Sequence, residues 1–270
     1  MKDFQNKMKK LEHKVAVVYG DGTTGGAIAK AFAREGAKIF LTGRTITKLD
    51  SIAEEILSGG GAIEIAKLDA LDEQAVEKHM AEIISKAGTI DISYNAIGIP
   101  QTGIQGTALT ELSLESFSLP LTIYPQSHFI TAKAAAKRMV KQGHGVIIMH
   151  TPNASKISQP FIGGMPSTWA AMEALCRSLS VECGQYGVRS VCLHTTAIPE
   201  TPLIDEVWDI HGKAHGITFE QFHSVMESKT HRRRLTSLEE LTNAAVFVAS
   251  DEGGAITGTI LNLTAGMIVQ

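Results

Sequence analysis

Apolar positions along this chain follow two rhythms that take turns. Short runs, Val15 to Tyr19, Lys38 to Thr42, Ala62 to Leu68, Ile90 to Tyr94, Gly145 to His150 and Arg189 to His194, are close to continuously apolar and read as strands buried on both faces. Between them lie segments with apolar residues every three or four positions, the period of a helix with one buried face. These are Ala27 to Glu35, Thr47 to Leu57, Asp72 to Lys86, Ile123 to Lys141 and Ser167 to Tyr186. Thr236-Ser237-Leu-Glu-Glu240 has the spacing of a capping box and opens a helix to about Ala249; Ile256 to Leu263 then reads as a seventh strand. Strands alternating with helices predict an α/β fold: a doubly wound parallel sheet of about seven strands with helices on both faces.

One stretch breaks the rhythm. Ile198 to Ser237 is irregular, rich in histidine and too long for an ordinary connection, so about 198–237 is expected to be a substrate loop region. With 270 residues, 44% of them hydrophobic, the chain fills one large domain over 14–270, preceded by an N-terminal extension over 1–13. A net charge of −3 gives no global attraction to nucleic acid or to anionic membranes. The basic cluster Arg232-Arg233-Arg234 is short and reads as a solvated helix edge. No run has the roughly 18 apolar residues of a membrane span, and Met1 to Lys14 is charged and polar. Cys176, Cys183 and Cys192 form no C-x-x-C pair, and Cys176 and Cys183 read as small buried hydrophobes. A cytoplasmic protein is the expectation.

The first chemistry-bearing feature is Gly20-Asp-Gly-Thr-Thr-Gly-Gly26, placed between the first strand and its helix. Glycines there let backbone approach a pyrophosphate, and the helix start supplies free N–H groups. Gly20, Thr23, Thr24 and Gly25 are the candidate contacts; a tight turn needing positive φ would use glycine as well. Asp21 is discordant. A carboxylate ~4 Å from a phosphate costs about 4 kcal/mol at an effective dielectric of roughly 20. A helix N-terminus returns only ~0.3–2 kcal/mol, so Asp21 is expected to point away from any bound nucleotide. Arg44, at the end of the second strand, stands where an acidic residue would hold a ribose 2′-hydroxyl. It suits a 2′-phosphate, or else simply caps the strand.

The glycine turn resembles Thr-Gly-x-x-x-Gly-x-Gly, with Tyr19 for the threonine and one residue fewer before Thr23. Asn95-Ala-Ile-Gly98 is similar to Asn-Asn-Ala-Gly. Arg234 to Leu241, Val248-Ala-Ser-Asp-Glu252 and Ile256 to Met267 resemble a characteristic last helix and strand, and Thr201-Pro202 a characteristic Thr-Pro. On these residues the chain, from Lys14 to about Val269, resembles the short-chain dehydrogenase/reductase family, whose fold is Rossmann-like. The resemblance implies an NAD(P)(H)-dependent oxidoreductase of small carbonyl or alcohol substrates. It assigns Asp69 to the adenine, Asn95 to the end of the fourth strand, where it equally braces the sheet, and Thr201 to the nicotinamide carboxamide or the phosphates. Arg44 favours NADPH, with NAD the less favoured cofactor. A homodimer or homotetramer pairing through Ile123–Lys141 and Ser167–Tyr186 is implied too.

The family's chemistry rests on Asn, Ser, Tyr and Lys. Those four positions here hold Tyr124, Pro152, Met165 and Trp169. Met165 has no proton to move, Trp169 carries no charge, and Pro152 has neither hydroxyl nor amide hydrogen. Thr151 is one residue off and should face elsewhere. Tyr124 is the remaining acid candidate; His150 and His194 read as packed strand-end residues, and Asn153 also lies near the strand ends. Met165 and Trp169, four apart, share a helix face and either line an apolar pocket or fill the emptied site. His211, His215, His223 and His231 have no cysteine or closely spaced carboxylate cluster to complete a metal site and read as solvated or partner-facing. Two functions follow: an oxidoreductase with impaired or relocated acid chemistry, or an inactive nucleotide- or ligand-binding module supporting an active relative.

Overall fold

The computed structural model describes residues 9–269. Of the expected N-terminal extension, 1–8 lie outside the described residues. Leu11 is fully buried in the core, and its amide bonds to the Glu35 carbonyl at 2.9 Å.

Seven parallel strands form the sheet in the order β3-β2-β1-β4-β5-β6-β7. They are β1 (Val15–Tyr19), β2 (Lys38–Gly43), β3 (Ala62–Lys67), β4 (Ile92–Asn95), β5 (Gly145–Pro152), β6 (Val188–Thr195) and β7 (Thr259–Leu263). One face is covered by α1 (Thr23–Arg34), α2 (Ile46–Ser58) and α8 (Leu238–Ala249), joined by Ile28, Phe32, Ile52 and Leu241 in one apolar cluster. The other is covered by α3 (Glu73–Ala87), α4 (Leu114–Gln142) and α5 (Met165–Cys183), through Val76, Met80, Met139 and Cys176. Strand order reverses between β1 and β4, the place where ligands bind beyond the carboxyl ends of such sheets.

Two elements differ from expectation. Helix α4 begins at Leu114, nine residues before Ile123, and carries Pro120 and Pro125 inside it. A cap from Ser113, whose hydroxyl accepts from the Ser116 amide, starts the helix there although both prolines lack a helical N–H. The stretch 198–237 is not irregular: it folds into α6 (Pro202–His215) and α7 (Phe219–Ser228), and α7 opens on a Thr218–Gln221 capping box. Trp208, Phe222, Met226 and Leu235 form their own apolar cluster there. Among the described residues, no helix is long and apolar enough to cross a membrane.

Candidate active site

One cavity of about 880 Å³ runs along the carboxyl ends of the strands, from the glycine turn and Arg44 to Tyr124, Trp169 and Trp208. Of the residues expected at the nucleotide, Gly20, Thr23, Thr24, Arg44, Asp69, Asn95 and Thr201 all line it.

Gly25 is buried behind the wall instead; a Cβ on it would stand 2.1 Å from the Gly20 carbonyl oxygen. Its role is to let α1 pack against the turn. Gly20 has φ +119°, and a Cβ there would meet the Ala96 carbonyl oxygen at 2.6 Å. Helix α1 starts at Gly22 with no side-chain cap and no acidic residue in its first turn. Its first N–H groups are therefore unspent. These features fit a dinucleotide pyrophosphate.

Asp21 is turned toward the end of β2, where its Oδ2 accepts from the Thr45 amide at 2.7 Å. Asp69 accepts from the Leu71 amide at 3.0 Å. Asn95 braces the centre of the fold: its amide donates to Thr131 Oγ1 at 3.1 Å, and its Oδ1 accepts from the Ile97 amide at 3.0 Å. Thr201 precedes α6 and donates to the Ile198 carbonyl at 2.8 Å.

The other end is apolar. Met165, Trp169, Met172, Ile99, Ile104, Ala154 and Tyr124 form one buried cluster, with the Tyr124 and Trp169 rings 4.7 Å apart. Met165 and Trp169 thus line the cavity and fill the core at once. The Tyr124 hydroxyl accepts from the Ile99 amide at 3.3 Å, and burial pushes its phenol above its ordinary pKa. Arg44 and Lys48, both at the nucleotide end, are the only lysine or arginine side chains on the cavity wall among the described residues.

His150 shares a strand face with Pro152 and lines the cavity. Its Nε2 lies 2.8 Å from Thr195 Oγ1. Burial first, then the neighbouring His194 and His128, push it down to about 4. Thr151 faces the other way, 3.2 Å from Cys192 Sγ. His194 is buried beneath, its Nδ1 3.1 Å from Glu173 Oε1, and Ser155 also donates to that carboxylate. Burial raises the Glu173 carboxyl, yet the bonds from His194 and Ser155 bring it below the usual carboxylate value.

Several wall residues were missed from the sequence. His128 lies one turn after Tyr124 on α4; its Nδ1 sits 2.9 Å from the Tyr124 carbonyl, and burial lowers it to about 4. Spacing of four from Tyr124 was the available signal. Above the cavity, Glu206 of α6 accepts from the Gln101 and Thr102 amides at 3.1 and 2.9 Å and from the Thr102 hydroxyl at 2.7 Å. A chain of bonds links the same helix to the acid candidate. His211 Nε2 meets Gln105 Oε1 at 2.8 Å, Gln105 donates to Gln101 Oε1 at 2.7 Å, and Gln101 donates to the carbonyl of Ile99 at 2.7 Å. His211, expected to be solvated or partner-facing, is buried within the chain and stacked on Phe222. Among the described residues no cluster of histidine, cysteine and carboxylate could hold a metal.

Residues 22–268 match the family described as enoyl-(acyl carrier protein) reductase. An uncharacterized oxidoreductase of Thermotoga maritima is 32% identical over 260 residues, covering 95% of this chain and 98% of its own. A solved short-chain type dehydrogenase/reductase of Mycobacterium marinum is 26% identical with a TM-score of 0.83, covering 96% of this chain and 97% of its own. This chain belongs to the short-chain dehydrogenase/reductase family. The (+)-cis,trans-nepetalactol synthase of Nepeta racemosa is also similar, 30% identical over 271 residues, covering 96% of this chain and 93% of its own. Within this short-chain dehydrogenase/reductase, the cavity joins polar backbone at one end to neutral, buried donors at the other. It can bind and polarise, and among the described residues it holds no lysine or arginine at the chemical end of its wall.

Proposed function

We propose that this chain is a dinucleotide-dependent oxidoreductase that reduces a small carbonyl compound, with Tyr124 meeting the carbonyl oxygen. The observation that carries this is the Tyr124 hydroxyl. It lines the cavity, accepts from Ile99 at 3.3 Å, and donates to no group among the described residues. A phenol pushed up by burial stays protonated at neutral pH. It gives a hydrogen bond, and then its proton, to an oxygen gaining negative charge. It is a poor base for alcohol oxidation, so reduction is the favoured direction.

Gly20, Thr23 and Thr24 would hold the pyrophosphate, Asp69 the adenine, and Asn95 and Thr201 the nicotinamide end, with Arg44 beside the adenine ribose. The bound nicotinamide supplies the hydride. Trp169, Met165, Trp208 and Phe222 exclude water and accept an apolar body around the carbonyl. A homodimer or homotetramer is part of this reading; Phe129 and Val181, exposed on α4 and α5, support it.

The test is oxidation of NADH and NADPH against a panel of apolar ketones and aldehydes. Tyr124→Phe should cut the rate by ~100-fold or more while leaving the cofactor Kd unchanged. Unchanged turnover in that variant removes Tyr124 from the mechanism. A second reading, an inactive ligand-binding module supporting an active relative, is favoured by the lack of a lysine or arginine beside Tyr124 on the cavity wall among the described residues. It predicts cofactor binding without turnover of any panel member. Conversion of a substrate without cofactor consumption would instead mark a lyase or isomerase.

A further inference from the structure

A fold of this kind reads the adenosine ribose at the end of its second strand. In this chain two opposed signals meet there, Arg44 from β2 and Asp21 from the turn after β1. We infer that Asp21 reads the ribose and that the chain selects NADH over NADPH. The inference rests on the dinucleotide-binding reading above; it reverses the preference drawn from Arg44 and the expectation that Asp21 turns away from the whole nucleotide.

The geometry makes the two residues unequal. Asp21 crosses from its own turn to the neighbouring strand, where Oδ2 accepts from the Thr45 amide at 2.7 Å. It lies so closely over Gly43 that a Cβ on that glycine would fall 2.6 Å from the Asp21 Cβ. Gly43 leaves the room that this crossing needs. The carboxylate is thus held by a charge-assisted bond on one oxygen. Its Oδ1 has no partner among the described residues, and Asp21, Gly43 and Thr45 all line the cavity.

A ribose 2′-hydroxyl has a proton to donate to that free oxygen. A 2′-phosphate is largely without one at neutral pH and meets the carboxylate as like charge against like. It also finds the Thr45 amide, a backbone donor at the start of α2, already taken. Arg44 and Lys48 stand nearby but are exposed, and Arg44 forms no ion pair among the described residues. Exposed cations on flexible stems return little against a fixed carboxylate.

The full chain is titrated with NADH and NADPH, and with ADP-ribose and its 2′-phosphorylated form to isolate the adenylate half. The expected result is at least tenfold tighter binding of NADH and of ADP-ribose. Asp21→Asn keeps an acceptor for the Thr45 amide and removes the charge. It should shift both affinity ratios tenfold or more toward the phosphorylated ligands, at an unchanged thermal midpoint. Asp21→Ser, a shorter neutral side chain on the same turn, should move the ratios the same way and guards against a misfolded first variant. Tighter NADPH binding by the natural chain, or ratios that neither variant moves, overturns the inference and leaves the dinucleotide site standing. Binding of none of the four ligands overturns both together.

Discussion

The two ends of the cavity are built by different means. At the nucleotide end the working groups are backbone: the unspent amides at the start of α1, and a turn that depends on Gly20 and Gly25 for close approach. At the other end the wall is made of side chains on α4, β5 and α5, among them Tyr124, Pro152, Met165 and Trp169. Backbone features survive changes of residue as long as the fold survives. Side-chain chemistry disappears one substitution at a time while packing is kept, because Met165 and Trp169 fill their space as core. A cleft can therefore retain its binding half and alter its reacting half independently.

Substitutions at each end sharpen that contrast. Trp169 is buried against Tyr124, so Trp169→Ala should cost about 3–5 kcal/mol in chemical denaturation and leave cofactor affinity within about twofold. A large loss of affinity in a folded Trp169→Ala protein would show the two ends to be one coupled unit. Gly25→Ala is the reverse case. Its Cβ would meet a backbone oxygen at 2.1 Å, so about 1–3 kcal/mol of stability should go, and with it dinucleotide binding. Retained binding in that variant would mean that the turn is not the phosphate cradle.

The smallest expected effect is a pH slope carried by the reacting end. His128 and His150 titrate near 4 in the fold, against about 6.5 in an unfolded chain. The unfolded state then binds more protons in that window, so stability falls as pH drops from about 6.5 to about 4. His150→Gln keeps a partner for Thr195 and should flatten this slope by at most ~1.4 kcal/mol per pH unit, read from urea midpoints. An unchanged slope would mean that His150 is not held neutral.

The sheet was legible from the sequence because continuous apolar runs have few alternatives in a chain of this size. The start of α4 was not: Pro120 and Pro125 oppose a helix locally, and tertiary packing overrides them. The region 198–237 concealed two helices behind its histidines, although Pro202, Gly216 and the Thr218–Gln221 box are ordinary boundary signals. His211 misled because burial and stacking are long-range facts; nothing near it in sequence foretells Gln105.

The roof of the cavity adds a question of timing. Glu206 holds the 101–102 segment by three bonds, while the His211–Gln105–Gln101 chain binds that segment to the same helix. Helix and segment are thereby tied into one unit, so a motion that opened this side of the cavity would carry both together.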